Sequence, residues 1–119
     1  MRMALGEFLP DEIDAIVMHA PGTIQGDMSE YQAIQGVFGK NLPLLTTNKW
    51  LLGHTFGASG MLSIEMAILM LKHQKFIPSP FYDQKQKGPL KYIMVNAVGF
   101  GGNAVSILLK APNSSIFEA

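Results

Sequence analysis

The stretch IDAIVMHAPGTIQGDMSE, residues 13–30, is the one on which the fold turns. Its first six residues are apolar but for Asp14 and partly β-branched, lie just after Pro10-Asp11, and predict a buried strand. A Pro21-Gly22 turn then redirects the chain. Asp27, followed three residues later by Glu30, has the form of a capping box with Asp in the Ser/Thr place, and predicts a helix opening there. That helix should run to about Phe38, with Gly39 placed to cap its C-terminus.

Outward from this unit the alternation continues. Residues 1–9 read as a helix end, with Met3, Leu5 and Leu9 as candidate core contacts. Residues 42–47 predict a second short strand, ending at Asn48-Lys49. Gly57-Ala58-Ser59-Gly60 leads into residues 61–72 (MLSIEMAILMLK), apolar on nearly every helical face. A helix apolar all round must be buried all round. One domain of 119 residues has little interior for that, so a further layer is expected from other sequence or from another subunit. Residues 75–88, punctuated by Pro78 and Pro80 with Pro89 just beyond, read as a loop. Residues 92–97 and 105–110 predict closing strands, separated by Gly99-Phe100-Gly101-Gly102-Asn103. Residues 1–112 then form one unit and 113–119 a loosely held tail. The fold class is α/β, a mixed but mainly parallel sheet with flanking helices.

Composition narrows the function. The chain is 48% apolar and 15% charged, too greasy for a disordered segment. Nine basic residues balance nine acidic ones and no Lys/Arg stripe occurs, so no nucleic-acid partner is expected. There is no cysteine, which excludes disulfides, thiolate metal sites and thiol nucleophiles within these residues. The longest apolar run, residues 66–71, is too short for a membrane span, and residues 1–9 do not have the form of a signal peptide. A cytoplasmic location is expected.

Three polar clusters stand at predicted strand ends, where α/β sheets usually place their sites. They are His19 with Thr23, Asp27 and Glu30; Lys49 with His54; and the Gly99-Phe100-Gly101-Gly102 turn. A metal site assembled from His19, His54, His73, Asp27 and Glu30 lacks any known ligand spacing, so none is expected. A nucleotide loop should join a strand to a helix, whereas the glycine turn here lies between two predicted strands.

In order and spacing the clusters resemble the C-terminal part of β-ketoacyl-acyl-carrier-protein synthases, the condensing enzymes of fatty acid and polyketide synthesis. Residues 14–30 (DAIVMHAPGTIQGDMSE) look like the family's HGTGT…GD..E motif. Thr47-Asn48-Lys49 with Gly53-His54-Thr55-Phe56-Gly57-Ala58-Ser59-Gly60 looks like its TK…GH..GA.G motif, with the same five-residue step from Lys to His. Asn96-Ala97-Val98-Gly99-Phe100-Gly101-Gly102 looks like its closing N…GFGG motif. The likeness covers roughly residues 1–110.

The resemblance implies the C-terminal half of a thiolase-like layered fold, in which two similar halves pack around central buried helices. Residues 61–72 match such a helix, which accounts for the missing polar face. The family's nucleophilic cysteine lies in the other half, so this segment alone is expected to be inactive. Either it is a fragment, or it needs a partner chain. The implied reaction is a decarboxylative Claisen condensation of malonyl-acyl carrier protein with an acyl thioester. His19 and His54 would be the donors to the enolate oxygen, and Lys49 would order the site, paired with Glu30 or with Asp27. Phe100 would complete an oxyanion hole with its N–H and gate the acyl pocket with its ring. Gly99, Gly101 and Gly102 would let the backbone aim that amide, and Thr23 would hydrogen-bond the phosphopantetheine arm. The implied partners are acyl carrier protein and a homo- or heterodimeric second subunit. No bound cofactor is implied, since the substrates ride on the carrier's phosphopantetheine.

The sequence departs from the family pattern at four places. Pro21 stands for the first motif threonine and Ala20 for a glycine. Ser63 stands for a glutamate nine residues after His54, and Glu65 should point to the other side of the helix. Asn103-Ala104 stands where Thr-Asn is usual. Such changes fit a divergent catalyst, and they also fit a non-catalytic partner subunit of the chain-length-factor kind.

Overall fold

A computed structural model describes residues 1–20, 24–47, 59–79, 84–86, 88–98 and 104–112. A single helical turn, α1 (Arg2–Leu5), and a 3-10 turn (Pro10–Glu12) lead into β1 (Ala15–Val17). Helix α2 (Ile24–Phe38) follows, then β2 (Leu44–Thr46), α3 (Ser59–His73), β3 (Tyr92–Val98) and β4 (Ala104–Lys110). The strands form one sheet in the order β2-β1-β3-β4. β1 runs parallel to both β2 and β3, with Ile16 opposite Leu45 and Met94, and β4 is antiparallel to β3. The sheet is therefore mixed and mainly parallel, as its sequence predicts.

Period-two alternation divides the apolar run of β1 between two cores. Ala15 and Val17 join Ile93 and Val95 beneath Met66, Ala67, Met70 and Leu71 of α3. Ile16 and Met18 join Leu45 and Met94 beneath Ile34 and Phe38 of α2, with Leu5 at the margin. A strand covered on both faces has no polar side to offer, which is why residues 15–18 read as an unbroken apolar run.

Helix α2 stops as the sequence predicts. Gly39 takes φ 66° and its N–H donates to the Gln35 carbonyl at 2.8 Å. A Cβ at Gly39 meets no atom within 4 Å, so the penalty of a side chain there is backbone strain alone. Gly39→Ala is expected to lower stability by about 1 kcal/mol in urea unfolding. Helix α3 ends in the same conformation without a glycine: Gln74 has φ 53°. Its amide donates to the Leu71 and Leu90 carbonyls, both at 2.8 Å, and accepts from the Leu90 N–H at 2.9 Å. These bonds offset the left-handed strain and tie the helix end to the approach to β3.

Two expectations need correction. Of Met3, Leu5 and Leu9, only Leu5 is buried; Met3, on the outer side of the single-turn α1, and Leu9, beyond its end, are 96% and 66% exposed. Helix α2 begins at Ile24, so Asp27 lies inside its first turn and is not the N-cap. Helix α3, by contrast, is left only partly covered by this chain, as the expectation of a further layer requires. Ser63, Met66, Ala67, Met70 and Leu71 are covered, whereas Met61, Ile68 and Leu69 are 68%, 50% and 43% exposed. Glu65 lies on the exposed side and Ser63 on the buried one, as the helical spacing requires. Among the described residues, no helix is long and apolar enough to cross a membrane.

Candidate functional site

The parallel register brings the C-terminal ends of β1 and β3 side by side, with Val17 opposite Val95. His19 emerges just beyond β1 and is buried, 6% exposed. On β3, Asn96 follows Val95 and shares the face of Met94, the side that α2 covers. Helix α2 presents Glu30 to the space between them. The Glu30 carboxylate accepts the His19 N–H on Oε2 and the Ala20 N–H on Oε1, both at 2.8 Å. It also accepts the Asn96 side-chain amide on Oε2 at 3.3 Å. Ser106 of β4, opposite Asn96 in the ladder, donates its hydroxyl to Asn96 Oδ1 at 2.8 Å.

This arrangement clamps the peptide that carries His19. Two adjacent backbone amides bound to one carboxylate fix the position of the loop and with it the root of the imidazole. The local spacing of Asp27 and Glu30 imitates a capping box, but Glu30 spends its oxygens on the end of β1 instead. Burial pushes the Glu30 carboxyl above its ordinary value of 4.5, and the negative charge of Asp27 one turn earlier adds to that push. The Ala20 and His19 amides and the Asn96 side chain oppose it by stabilising the ionised form.

Ala20 bears a cost of its own. Its φ of 36° lies in the left-handed half of backbone space, which favours glycine. The sequence has alanine where the resembling family has glycine, and the backbone has kept the geometry that glycine would adopt. Ala20→Gly is expected to raise stability by about 0.5–1 kcal/mol in thermal or urea unfolding, relief of strain being partly offset by the freer unfolded chain.

A cleft of about 390 Å³ opens beside the clamp, lined by His19, Glu30, Ala33, Asn96, Ala97 and Val105 among others. A larger one, about 960 Å³, lies at the opposite ends of the strands. Its groups serve the fold: Asp14 accepts the Lys91 and Tyr92 N–H groups at 2.6 and 3.0 Å, while Gln84 and Gln86 accept those of Leu45 and Phe76, both at 2.8 Å. The cleft at His19 is the candidate site. It stands at the carboxyl ends of the parallel strands, and it has a buried histidine and a half-buried carboxylate at its wall.

Of the residues singled out from sequence, His19, Asp27 and Glu30 lie around this cleft or on its helix. Thr23, Lys49, His54, Gly99, Phe100, Gly101 and Gly102 lie outside the described residues. The expected pairing of Lys49 with Glu30 or Asp27 lies outside them with Lys49. Among the described residues, no group of three or more His, Cys, Asp or Glu is placed to hold a metal ion. Two contributors went unassigned in sequence. Asn96 carried a signal, a polar side chain in the middle of an apolar strand. Ser106 carried none, because its partner is set by the register of β3 and β4.

Comparisons with known proteins converge. The model of the beta-ketoacyl synthase C-terminal domain matches residues 2–83. The 3-oxoacyl-[acyl-carrier-protein] synthase 1 of Buchnera aphidicola subsp. Baizongia pistaciae is 36% identical over 92% of this chain and 30% of its own length. Among solved structures, the ketosynthase (ApeO) in complex with its chain length factor (ApeC) from Xenorhabdus doucetiae superposes with a TM-score of 0.83 at 30% identity. The ishigamide ketosynthase/chain length factor superposes at 0.82 and 28% identity. Each of these two matches covers 94% of this chain and 32% of the other. The chain thus spans about a third of the length of the relatives it matches.

Proposed function

Because the chain belongs to the β-ketoacyl synthase family, as a C-terminal domain of it, we propose that it forms the histidine-bearing part of a condensing enzyme. The reaction is a decarboxylative Claisen condensation between malonyl-acyl carrier protein and an acyl thioester. The malonyl carboxylate leaves as carbon dioxide, and its bonding pair becomes the enolate. The enolate carbon then attacks the acyl thioester carbonyl and expels the thiolate. These residues contain no cysteine, so the acyl-carrying thiol comes from further sequence or from a partner chain.

His19 and His54 donate to the thioester oxygen as negative charge gathers there, which is where fixed donors act on a rate. The neutral imidazole serves, donating from one nitrogen while a neighbour fixes the tautomer. Lys49 orders the site, the Phe100 N–H with the turn of Gly99, Gly101 and Gly102 serves the acyl oxyanion, and Thr23 meets the phosphopantetheine arm. The observation that carries this reading is the buried His19, its peptide clamped by Glu30 at the mouth of the cleft. A catalytic donor must be held still, and two backbone amides on one carboxylate do that.

A partner-subunit role is the second reading, favoured by the likeness to structures that contain a chain length factor and by Pro21 and Ser63 at motif positions. One assay separates the two. With the cysteine-bearing part present, malonyl-carrier-protein decarboxylation should depend on both histidines. A rate indifferent to His19→Ala and to His54→Ala leaves the partner role standing.

A further inference from the structure

We propose that Ser106 is a positioning residue for His19, acting through Asn96 and Glu30 to hold the loop that carries the imidazole. This rests on the condensing-enzyme reading for its catalytic meaning. Asn96 belongs to one of the motifs quoted above; Ser106 belongs to none. An ionised carboxylate only accepts, so the Asn96 amide must turn its NH2 toward Glu30. That leaves Oδ1 facing β4, where Ser106 meets it with a hydroxyl at 2.8 Å. Asn96 is 6% exposed, so solvent has little access to take the place of that donor. An alanine at 106 would leave the amide oxygen without its donor and free the amide to rotate. A rotated amide sets oxygen against oxygen at Glu30. The chain of contacts from Ser106 to Asn96, to Glu30, and to the His19 and Ala20 amides thus joins an outer strand to the site loop.

The test compares Ser106→Ala and Ser106→Thr in the assembled synthase, by hydrogen exchange and by steady-state decarboxylation. Ser106→Ala is expected to speed amide exchange at His19 and Ala20 by roughly threefold to tenfold, the worth of one neutral hydrogen bond. Ladder amides of β3 and β4 should keep their rates. The kcat should fall by a similar factor with KM unchanged, and Ser106→Thr, which retains the hydroxyl, should restore both. Unchanged exchange at His19 and Ala20, or equal acceleration in the strands, overturns the proposal. So does an unchanged kcat in an assembly that His19→Ala impairs. Full activity in His19→Ala would sink the condensing-enzyme reading instead, and the exchange rates would still decide whether Ser106 holds the loop.

Discussion

His19→Ala is expected to slow malonyl-carrier-protein decarboxylation by about 10²–10³-fold in the assembled synthase, the usual loss when one aimed donor to a developing oxyanion is removed. The measurement is release of labelled carbon dioxide at saturating substrate. The fold should tolerate the change, because the clamp holds backbone amides that alanine retains. His54→Ala should give a loss of the same order. The double variant should lose less than the product of the two, since donors to one oxygen act as a unit. A drop confined to KM would show that His19 binds substrate without favouring the transition state.

Glu30→Ala is expected to lower unfolding stability by about 2–4 kcal/mol, because it strands the His19 and Ala20 amides and releases the Asn96 side chain. Ala20→Gly should gain less in this background than in the wild type, since a loop no longer tied to Glu30 can relax the strain at Ala20. That coupling is measurable as a double-mutant cycle. Glu30 also gives stability a pH dependence whose sign is fixed. Its folded carboxyl titrates above 4.5, so the unfolded chain gives up this proton first as pH rises. Its ionisation therefore weakens the fold between 4.5 and its raised folded value, and acidification through that window restores the difference. Glu30→Gln should remove that slope in urea titrations, at the cost of setting an amide NH2 against a backbone donor. A wild-type profile with the opposite slope, or one that Glu30→Gln leaves unaltered, would contradict the assignment.

Much of the fold could be read from local pattern. The run at residues 13–18 announced a strand covered on both faces, and Gly39 announced the end of α2. Helix α3 announced by its composition that the sheet alone would not cover it, and Met61, Ile68 and Leu69 are the residues left open. The reading failed where local and tertiary spacing coincide. Asp27 and Glu30 satisfy a capping rule on paper, yet Glu30 is used eleven residues back, at the end of β1. Nothing in a linear pattern distinguishes those two uses of a carboxylate. Ala20 could be marked as a departure from a glycine, but its φ of 36° follows only once Glu30 has fastened its amide. The pairing of Asn96 with Ser106 needs the register of a hairpin whose turn gives no count of its own.

The sheet order bears on how the chain is made. β1 is central, yet one of its two neighbours is β3, and the ribosome delivers Tyr92–Val98 well after Ala15–Val17, with α2, β2 and α3 made between them. Until then Ile16 and its flanking residues have a bonded strand on one edge only, and the surface meant for β3 stays wet. Pairing between such distant segments is slow, and a nascent apolar strand left waiting invites aggregation. Yield on expression should therefore respond to chaperone supply and to growth at lower temperature more than to changes on the exposed surface.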